Sequence, residues 1–262
     1  MPEGIEVEIT RKKLEASLGH QLLRSIDILD ARLAYPVPQS IAFNVKLLSI
    51  ARHGKVLQFN LENGSNFSLS LGMTGSILCR EAAKNNAQPR LMMNFANKQY
   101  GLFDVRRFGR FAYPGKLPQG WDVLSHLGQR QTPKTFCSIL AQSLSAIKTL
   151  LMDQNKIAGI GNIYANEILF EAKIRPSRRA NSLSLLESRQ LWRAARKILR
   201  KALALGGSSI KDFRHPDGKK GAFQHVFKVY GKKQSEPCPR CEKPLKVTRL
   251  GQRATIYCSC QK

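Results

Sequence analysis

The amino-acid sequence predicts an α+β chain: an N-terminal helix with an antiparallel sheet, then helices, then a small C-terminal hairpin. Three observations carry this reading. After a first helical stretch, apolar residues alternate with period two in the segments before about residue 125 and recur with a helical period afterwards. The turn pair Asn63-Gly64 divides one alternating run into two. Four of the six cysteines, Cys238, Cys241, Cys258 and Cys260, crowd into the last 25 residues.

Taken in order, Ile5/Ile9 and Leu14/Leu18 recur at helical spacing and Gly19 closes that helix. In "KVLQFNLENGSNFSLSL", Leu57, Phe59 and Leu61 are answered across Asn63-Gly64 by Phe67, Leu69 and Leu71, a hairpin with one buried face. Leu91, Met93 and Phe95 continue the alternation. "HLGQRQTPKT" reads as a linker. Beyond it, "SLLESRQLWRAARKILRKALALGG" starts on the capping box Ser184-x-x-Glu187. That helix buries Leu191, Ala195, Ile198 and Ala202 and stops at Gly206-Gly207. Most of its cations, among them Arg193, Arg196, Lys197 and Arg200, read as a solvated face. The expected domains are 1–125, a linker 126–133, 134–230 with a long Gly/Ser/Lys loop at 206–223, and a finger at 231–262. Loops of that length are functional or disordered.

The chain carries 43 Lys+Arg against 18 Asp+Glu, a net charge of +25, with 42% hydrophobic residues. Enough apolar residues are present to build a core, so the charge does not signal disorder. A phosphate backbone is the commonest partner for such an excess. No stretch reaches membrane-spanning length, and Arg11, Lys12 and Lys13 are not followed by the apolar run of a secretory signal. A cytoplasmic, polyanion-binding monomer is expected, nucleoid-associated if bacterial.

Three constellations carry chemistry. In "KIAGIGNIYANEI", Gly159 and Gly161 break two helical patterns and Asn162 stands where it would cap the second, leaving backbone N–H groups to form a phosphate nest. Cys238-x2-Cys241 and Cys258-x-Cys260 supply four thiolates for one tetrahedral zinc, although the second knuckle is one residue shorter than usual. Zinc there replaces the core that so short a segment lacks. "LGQRA" between the pairs puts Arg253 at a hairpin tip, suited to probing a DNA groove. Cys79 and Cys137 stand alone and read as small buried hydrophobes.

In this order, "MPEG", "LGMTGS", "DVRRFGR", "LMDQNKIAGIGNIYANE", "GGSSIKDF", "VYGKK" and "QRATIYCSCQK" resemble the formamidopyrimidine-DNA glycosylase / endonuclease VIII family over nearly the whole chain. The resemblance implies a β-sandwich catalytic domain, a helix-two-turn-helix domain and a zinc finger, with damaged double-stranded DNA in the cleft between domains. It implies loss of Met1 and a Pro2 amine that attacks the sugar, with Glu3 as general acid/base. An α-amine titrates at ~8, so part of it is unprotonated near neutrality. Lys55 matches the family's phosphate ligand and proton donor in β-elimination, and Arg253 matches the finger arginine of δ-elimination. Lys148 and Asn162 match phosphate ligands. Met73, Arg106 and Phe108 match the residues that fill the hole left by a flipped base, against a plainer role for Met73 and Phe108 in the core.

The zinc is then structural, and the chemistry needs no catalytic cofactor. Departures from the family pattern are Ile5 and Val105 at usual proline positions, and "NNAQPRL" without a histidine that many relatives carry near DNA. Met73, Arg106, Phe108 and the full-length loop point to the oxidised-purine branch (8-oxoguanine, formamidopyrimidines), whereas Gly4 echoes the start of the oxidised-pyrimidine, endonuclease VIII branch. A non-catalytic zinc-finger protein that senses DNA damage is the alternative from another class; Pro2-Glu3 with Lys55 argues against it.

Overall fold

A computed structural model describes residues 2–33, 40–83, 88–210 and 212–262. The contacts divide the chain into two units, Met1–Pro118 with Leu205–Gln224, and Gln119–Ala204 with His225–Lys262.

In the first unit, helix α1 (Gly4–Leu18) buries Val7, Leu14 and Leu18 and ends at Gly19, as the spacing predicts. Eight strands follow: β1 (Leu22–Ile28), β2 (Ser40–His53), β3 (Val56–Leu61), β4 (Asn66–Ser70), β5 (Ser76–Cys79), β6 (Leu91–Phe95), β7 (Gln99–Phe103) and β8 (Arg110–Ala112). Their order is β5-β7-β6-β1-β2-β3-β4-β8, with every neighbouring pair antiparallel. The long β2 belongs to both arms. Residues as far as Lys46 pair with β1, and residues from Leu47 pair with β3, with register shifts in both ladders. One apolar cluster draws Ile26 and Met93 from one arm, Leu57, Phe59 and Phe67 from the other, and Val7, Leu14 and Leu18 from α1. That shared filling is what makes the folded sheet a sandwich. Phe59 and Phe67 stand opposite in register and stack with centroids 4.5 Å apart. Each such fully buried ring contributes about 1.5–3 kcal/mol relative to exposure.

Residues 205–224, read from the sequence as part of the second domain, group instead with this first unit. Gly206 (φ +72°) and Gly207 (φ +69°) turn the chain back. Two bonds then close the neck of the loop, Ala222 N–H to the Leu205 carbonyl and Phe223 N–H to the Gly207 carbonyl, both at 2.9 Å. The Cys79 N–H reaches the Pro216 carbonyl at 2.9 Å, so the loop covers part of the outer edge of β5.

The second unit contains β9 (Trp121–Asp122), α2 (Lys134–Ala141), α3 (Ile147–Met152), β10 (Ile157–Ala158), α4 (Asn162–Glu171), α5 (Leu185–Ala204), β11 (Lys246–Leu250) and β12 (Arg253–Tyr257). β9 and β10 form a short parallel ladder. Every residue of α4 from Ile163 to Phe170 is buried, with α3, α5 and β12 packed around it. The expected capping box opens α5: Ser184 Oγ accepts the Glu187 N–H at 3.2 Å, and Glu187 accepts the Ser184 N–H at 2.9 Å. Leu191, Ala195, Ile198 and Ala202 are buried, as expected. Among the described residues no helix is long and apolar enough to cross a membrane.

Two further expectations change. Gly161, not Asn162, is the N-cap of α4; Asn162 is its first helical residue and accepts the Asn166 amide one turn on. Cys79 and Cys137 are only half-buried. The Cys79 thiol lies against the Glu81 carboxylate near the end of β5, where the strand gives way to surface. Burial and that negative neighbour push its pKa up.

Candidate active site and metal centre

Pro2 and Glu3 are buried at the head of α1, and Met1 lies outside the described residues. Glu3 is the N-cap, and its carboxylate accepts the N–H of Glu6. In return Glu6 Oε2 accepts the Glu3 N–H at 2.8 Å. The other oxygen of Glu6 accepts the Ser208 N–H at 2.8 Å and the Ser208 hydroxyl at 3.0 Å. Glu3 and Glu6 are both fully buried. One carboxylate therefore fastens the chain start to a loop 202 residues further on. The approach needs glycine at 207, because a Cβ there would lie 2.8 Å from Glu6 Oε1 and φ is left-handed.

Helix α1 is fixed to the sheet by Glu8, which accepts from Arg11 at 2.9 Å and from Arg52 of β2 at 3.0 Å. Burial raises the Glu8 pKa, but the two guanidinium groups outweigh it and hold the carboxyl below its usual range. Lys55 is half-buried in the tight turn between β2 and β3, the two strands against which α1 packs, directly after Gly54 at φ +57°.

Met73 and the pair Arg106 and Phe108 sit on two adjoining loops, after β4 and after β7. Arg106 and Phe108 are exposed, with Phe108 at 47%, so Phe108 is no core residue. The guanidinium of Arg106 lies over the Phe108 ring, 4.9 Å from its centroid. Val105 beside them is 85% exposed. Buried Asp104 ties the loops together. It accepts the Thr74 hydroxyl, the Gly109 N–H at 2.7 Å and Arg90 at 3.1 Å, while Thr74 Oγ1 accepts the Arg106 N–H at 3.0 Å. Gly72 (φ +61°) permits the close approach, since a Cβ there would be 2.6 Å from the Gly109 nitrogen. Part of "NNAQPRL" lies outside the described residues, but Arg90 in it is described and buried, with Asp30 as a second partner at 2.9 Å.

In the 205–224 loop, His215 Nε2 is 2.8 Å from the Gly206 carbonyl, and burial lowers its pKa. Asp217 pairs with Lys13 of α1 at 2.6 Å.

In the second unit, Gln154 organises the double turn between α3 and α4. Its amide donates to the Met152 and Ile160 carbonyls, both at 2.8 Å, and accepts the Gly159 N–H at 3.0 Å. Gly159 sits at φ +106°, closed to L side chains. No acidic side chain lies in the first turn of α4, which keeps that helix start favourable to anions. Lys148 is fully buried, and its ammonium donates to the Ala254 carbonyl at 2.7 Å and to Thr255 Oγ1 at 2.8 Å. Asn166 accepts the Ile256 N–H at 2.9 Å, so α3 and α4 both hold β12. Buried Glu167 collects three consecutive backbone N–H groups, those of Lys228, Val229 and Tyr230, at 2.8–2.9 Å.

Gly251 and Gln252 both have positive φ (+53° and +59°) and connect β11 to β12 as a two-residue turn. Arg253 is exposed directly after that turn, paired in register with Leu250. The sulfurs of Cys238, Cys241, Cys258 and Cys260 all lie within 4.8 Å of one another. Thiolates around a tetrahedral zinc at ~2.3 Å stand just under 4 Å apart, so the four fit one ion. The short knuckle is accommodated because the Cys260 N–H turns onto Cys258 Sγ at 3.5 Å and Gln261 Oε1 takes the Cys258 N–H at 2.8 Å. Burial raises the Cys258 pKa, but the Cys260 N–H and the neighbouring thiols overcome it and bring the thiol down to about 7. Burial and the sulfurs beside it push Cys260 up to about 12.

Of the residues singled out in the sequence, the structure gathers Pro2, Glu3, Lys55, Met73, Arg106 and Phe108 in the first unit. Lys148, Asn162, Arg253 and the four cysteines lie in the second. Glu6, Ser208, Asp104, Arg90, Gln154 and Glu167 were missed. Only Glu3-x-x-Glu6 left a trace, as a capping-box spacing with an acidic rather than a hydroxyl cap.

Residues 1–111 match the formamidopyrimidine-DNA glycosylase N-terminal domain, and residues 124–214 match the formamidopyrimidine-DNA glycosylase H2TH domain. A formamidopyrimidine-DNA glycosylase of Klebsiella pneumoniae is 39% identical over the full length of both chains. The crystal structure of the MutM (Fpg) protein from Thermus thermophilus superposes with a TM-score of 0.87 at 35% identity, covering 99% of this chain and 98% of that one. Lactococcus lactis Fpg, in complexes with abasic-site DNA and with DNA containing N7-benzyl-Fapy-dG, aligns over 100% of both chains at 30% identity with TM-scores of 0.79 and 0.78. With both domain matches in the expected order and full-length relatives at this identity, the chain belongs to the formamidopyrimidine-DNA glycosylase family.

Proposed function

We propose that this protein is a bifunctional DNA glycosylase and abasic-site lyase that removes oxidised purines from double-stranded DNA. The observation that carries the reading is the chain start: Pro2-Glu3 at a buried, capped helix head that Glu6 secures to Ser208. Once Met1 is removed, the secondary amine of Pro2 attacks C1′ of the damaged nucleotide. The glycosidic bond breaks and the base leaves with a proton from Glu3; the C1′–O4′ bond then opens, O4′ takes up the proton that the Pro2 nitrogen gives up, and the sugar remains on Pro2 as an iminium. Loss of the C2′ proton then expels the 3′ phosphate, with Lys55 as phosphate ligand and proton donor, and a second elimination assisted by Arg253 expels the 5′ phosphate.

Met73, Arg106 and Phe108 fill the vacated stack, and their loops are held for it by Asp104. Asn162 binds phosphate at the start of α4; Lys148, expected as a second phosphate ligand, is fully buried with its ammonium on the Ala254 carbonyl and Thr255, and acts from behind that contact by tying α3 to the finger. Cys238, Cys241, Cys258 and Cys260 would hold one zinc. With all four thiolates as ligands it would supply folding rather than catalysis.

The purine preference rests on the folded 205–224 loop and on the Met73, Arg106 and Phe108 set, and relatives named for formamidopyrimidine agree with it. On matched duplexes with cytosine opposite the purine lesions, 8-oxoguanine and formamidopyrimidines are expected to leave faster than thymine glycol. Faster release of thymine glycol would place the activity with endonuclease VIII. Deleting His215 to Lys220 should slow 8-oxoguanine release and leave abasic-site cleavage largely intact. Glu3→Gln should impair base release more than cleavage of a preformed abasic site, and equal losses would remove Glu3 from base release.

A further inference from the structure

Helix α5 carries more cations than the fold uses. Arg196 donates to the Leu127 carbonyl at 3.1 Å, and Lys197 pairs with Glu171. Arg189 and Arg193, one turn apart on the exposed face, have no carboxylate within ion-pair distance among the described residues, and neither do Arg130 and Lys134. These four line one groove of about 690 Å³ together with Thr132 and Cys137, and no acidic residue lines it. Like charges at i,i+4 spacing oppose the helix that carries them, and four cations turned into one concavity repel each other unless an anion joins them. A solvated face would scatter such charges. Here the linker, the start of α2 and the first half of α5 bring them together.

We propose that this groove is a second DNA-binding surface, which takes the phosphate backbone of a duplex segment other than the lesion-bearing one. No aromatic side chain lines the groove to stack a base. Recognition is therefore of backbone phosphates and independent of sequence, which suits a protein that must hold undamaged DNA while it searches. The groove's face of α5 is the exposed one, while Leu191, Ala195, Ile198 and Ala202 face the core, and none of the residues assigned to the lesion or to zinc lines it. The inference rests on the reading of DNA as the ligand.

The test uses the full-length, zinc-replete protein with undamaged duplex. Arg189→Ala/Arg193→Ala should lower the magnitude of the slope of log K against log salt by about 2, and affinity at moderate salt by about tenfold. Arg189→Lys/Arg193→Lys should retain the slope; a loss there would mean that packing rather than charge is at work and would overturn the proposal. Cys137 reports locally. Duplex should slow its alkylation by maleimide, read by peptide mapping, in the unaltered chain but not in the double-alanine variant. Unchanged slope and unchanged protection in that variant would overturn the proposal. Equal protection by inorganic phosphate at matched phosphate concentration would make the groove a small-anion site and overturn the duplex assignment. Borohydride trapping on a short abasic duplex should be the same in both proteins. Its absence from both would count against the Pro2 mechanism, while the slope still decides the groove.

Discussion

Phe59 and Phe67 stack inside an apolar cluster filled by both arms of the sheet and by α1, whereas the finger gathers Val229, Leu245 and Ile256 around four cysteines and Phe170. The first region has side-chain area enough to hold itself. The second does not, and it leans on α3 and α4 through Lys148, Asn166 and Glu167 as well as on sulfur. The difference shows where function is exposed to failure. Pro2, the proposed nucleophile, stands on a self-supporting scaffold, and Arg253 stands on one that leans on its neighbours and on four clustered cysteines.

Removing zinc should give the largest effect. Structural zinc is worth about 10–16 kcal/mol in small metal-folded units, so a strong chelator under reducing conditions should abolish amide-exchange protection in β11 and β12. Protection in β3 and β4 should stay as it was. Loss of protection in both regions together would erase the contrast, and metal analysis showing active protein without zinc would refute the site. Phe67→Ala reverses the experiment. It should cost the sheet domain about 3–5 kcal/mol in denaturant unfolding while zinc content stays at one per chain.

The two buried glutamates sharpen the comparison. Glu167→Ala strands three backbone N–H groups and should cost about 3 kcal/mol or more, with finger protection falling first. Ser208→Ala leaves its N–H on Glu6 and removes one hydroxyl donor, so about 1 kcal/mol is expected. Equal costs would mean that Glu167 is not the anchor its geometry describes.

The smallest effect concerns acid. The Arg178 guanidinium, against modest burial and with help from Ser184, holds the Glu187 carboxyl down to about 2 from its usual 4.5. A carboxyl depressed on folding contributes stability that is complete above pH 4.5 and fades as pH falls toward 2. Glu187→Gln should therefore flatten acid unfolding of the α5 region in that window. An acid limb unchanged by the substitution would assign the loss to other carboxylates.

What the sequence disclosed follows from how local each cause is. The β3–β4 hairpin was legible because Asn63-Gly64 fixes the turn and period-two alternation fixes the buried face. The Ser184–Glu187 cap and the four cysteines were legible because their partners are close in sequence. The Glu6–Ser208 bond was not, since 202 residues separate the partners and each alone is an ordinary glutamate or serine. Asp104 was hidden in the same way, lying next to the exposed residues that attracted notice while itself buried under Arg90. Asn162 was misplaced by one position because Gly161 supplies the extended backbone that the cap needs.

The central claim is that the amine of Pro2 is the nucleophile, and borohydride trapping followed by peptide mapping tests it most directly. Reduction in the presence of abasic-site DNA should fix the strand covalently to the N-terminal peptide, with the adduct on Pro2, and retention of Met1 or acetylation of the terminus should abolish it. An adduct mapped to Lys55 or to any other lysine, or trapping that survives a blocked terminus, would contradict the account.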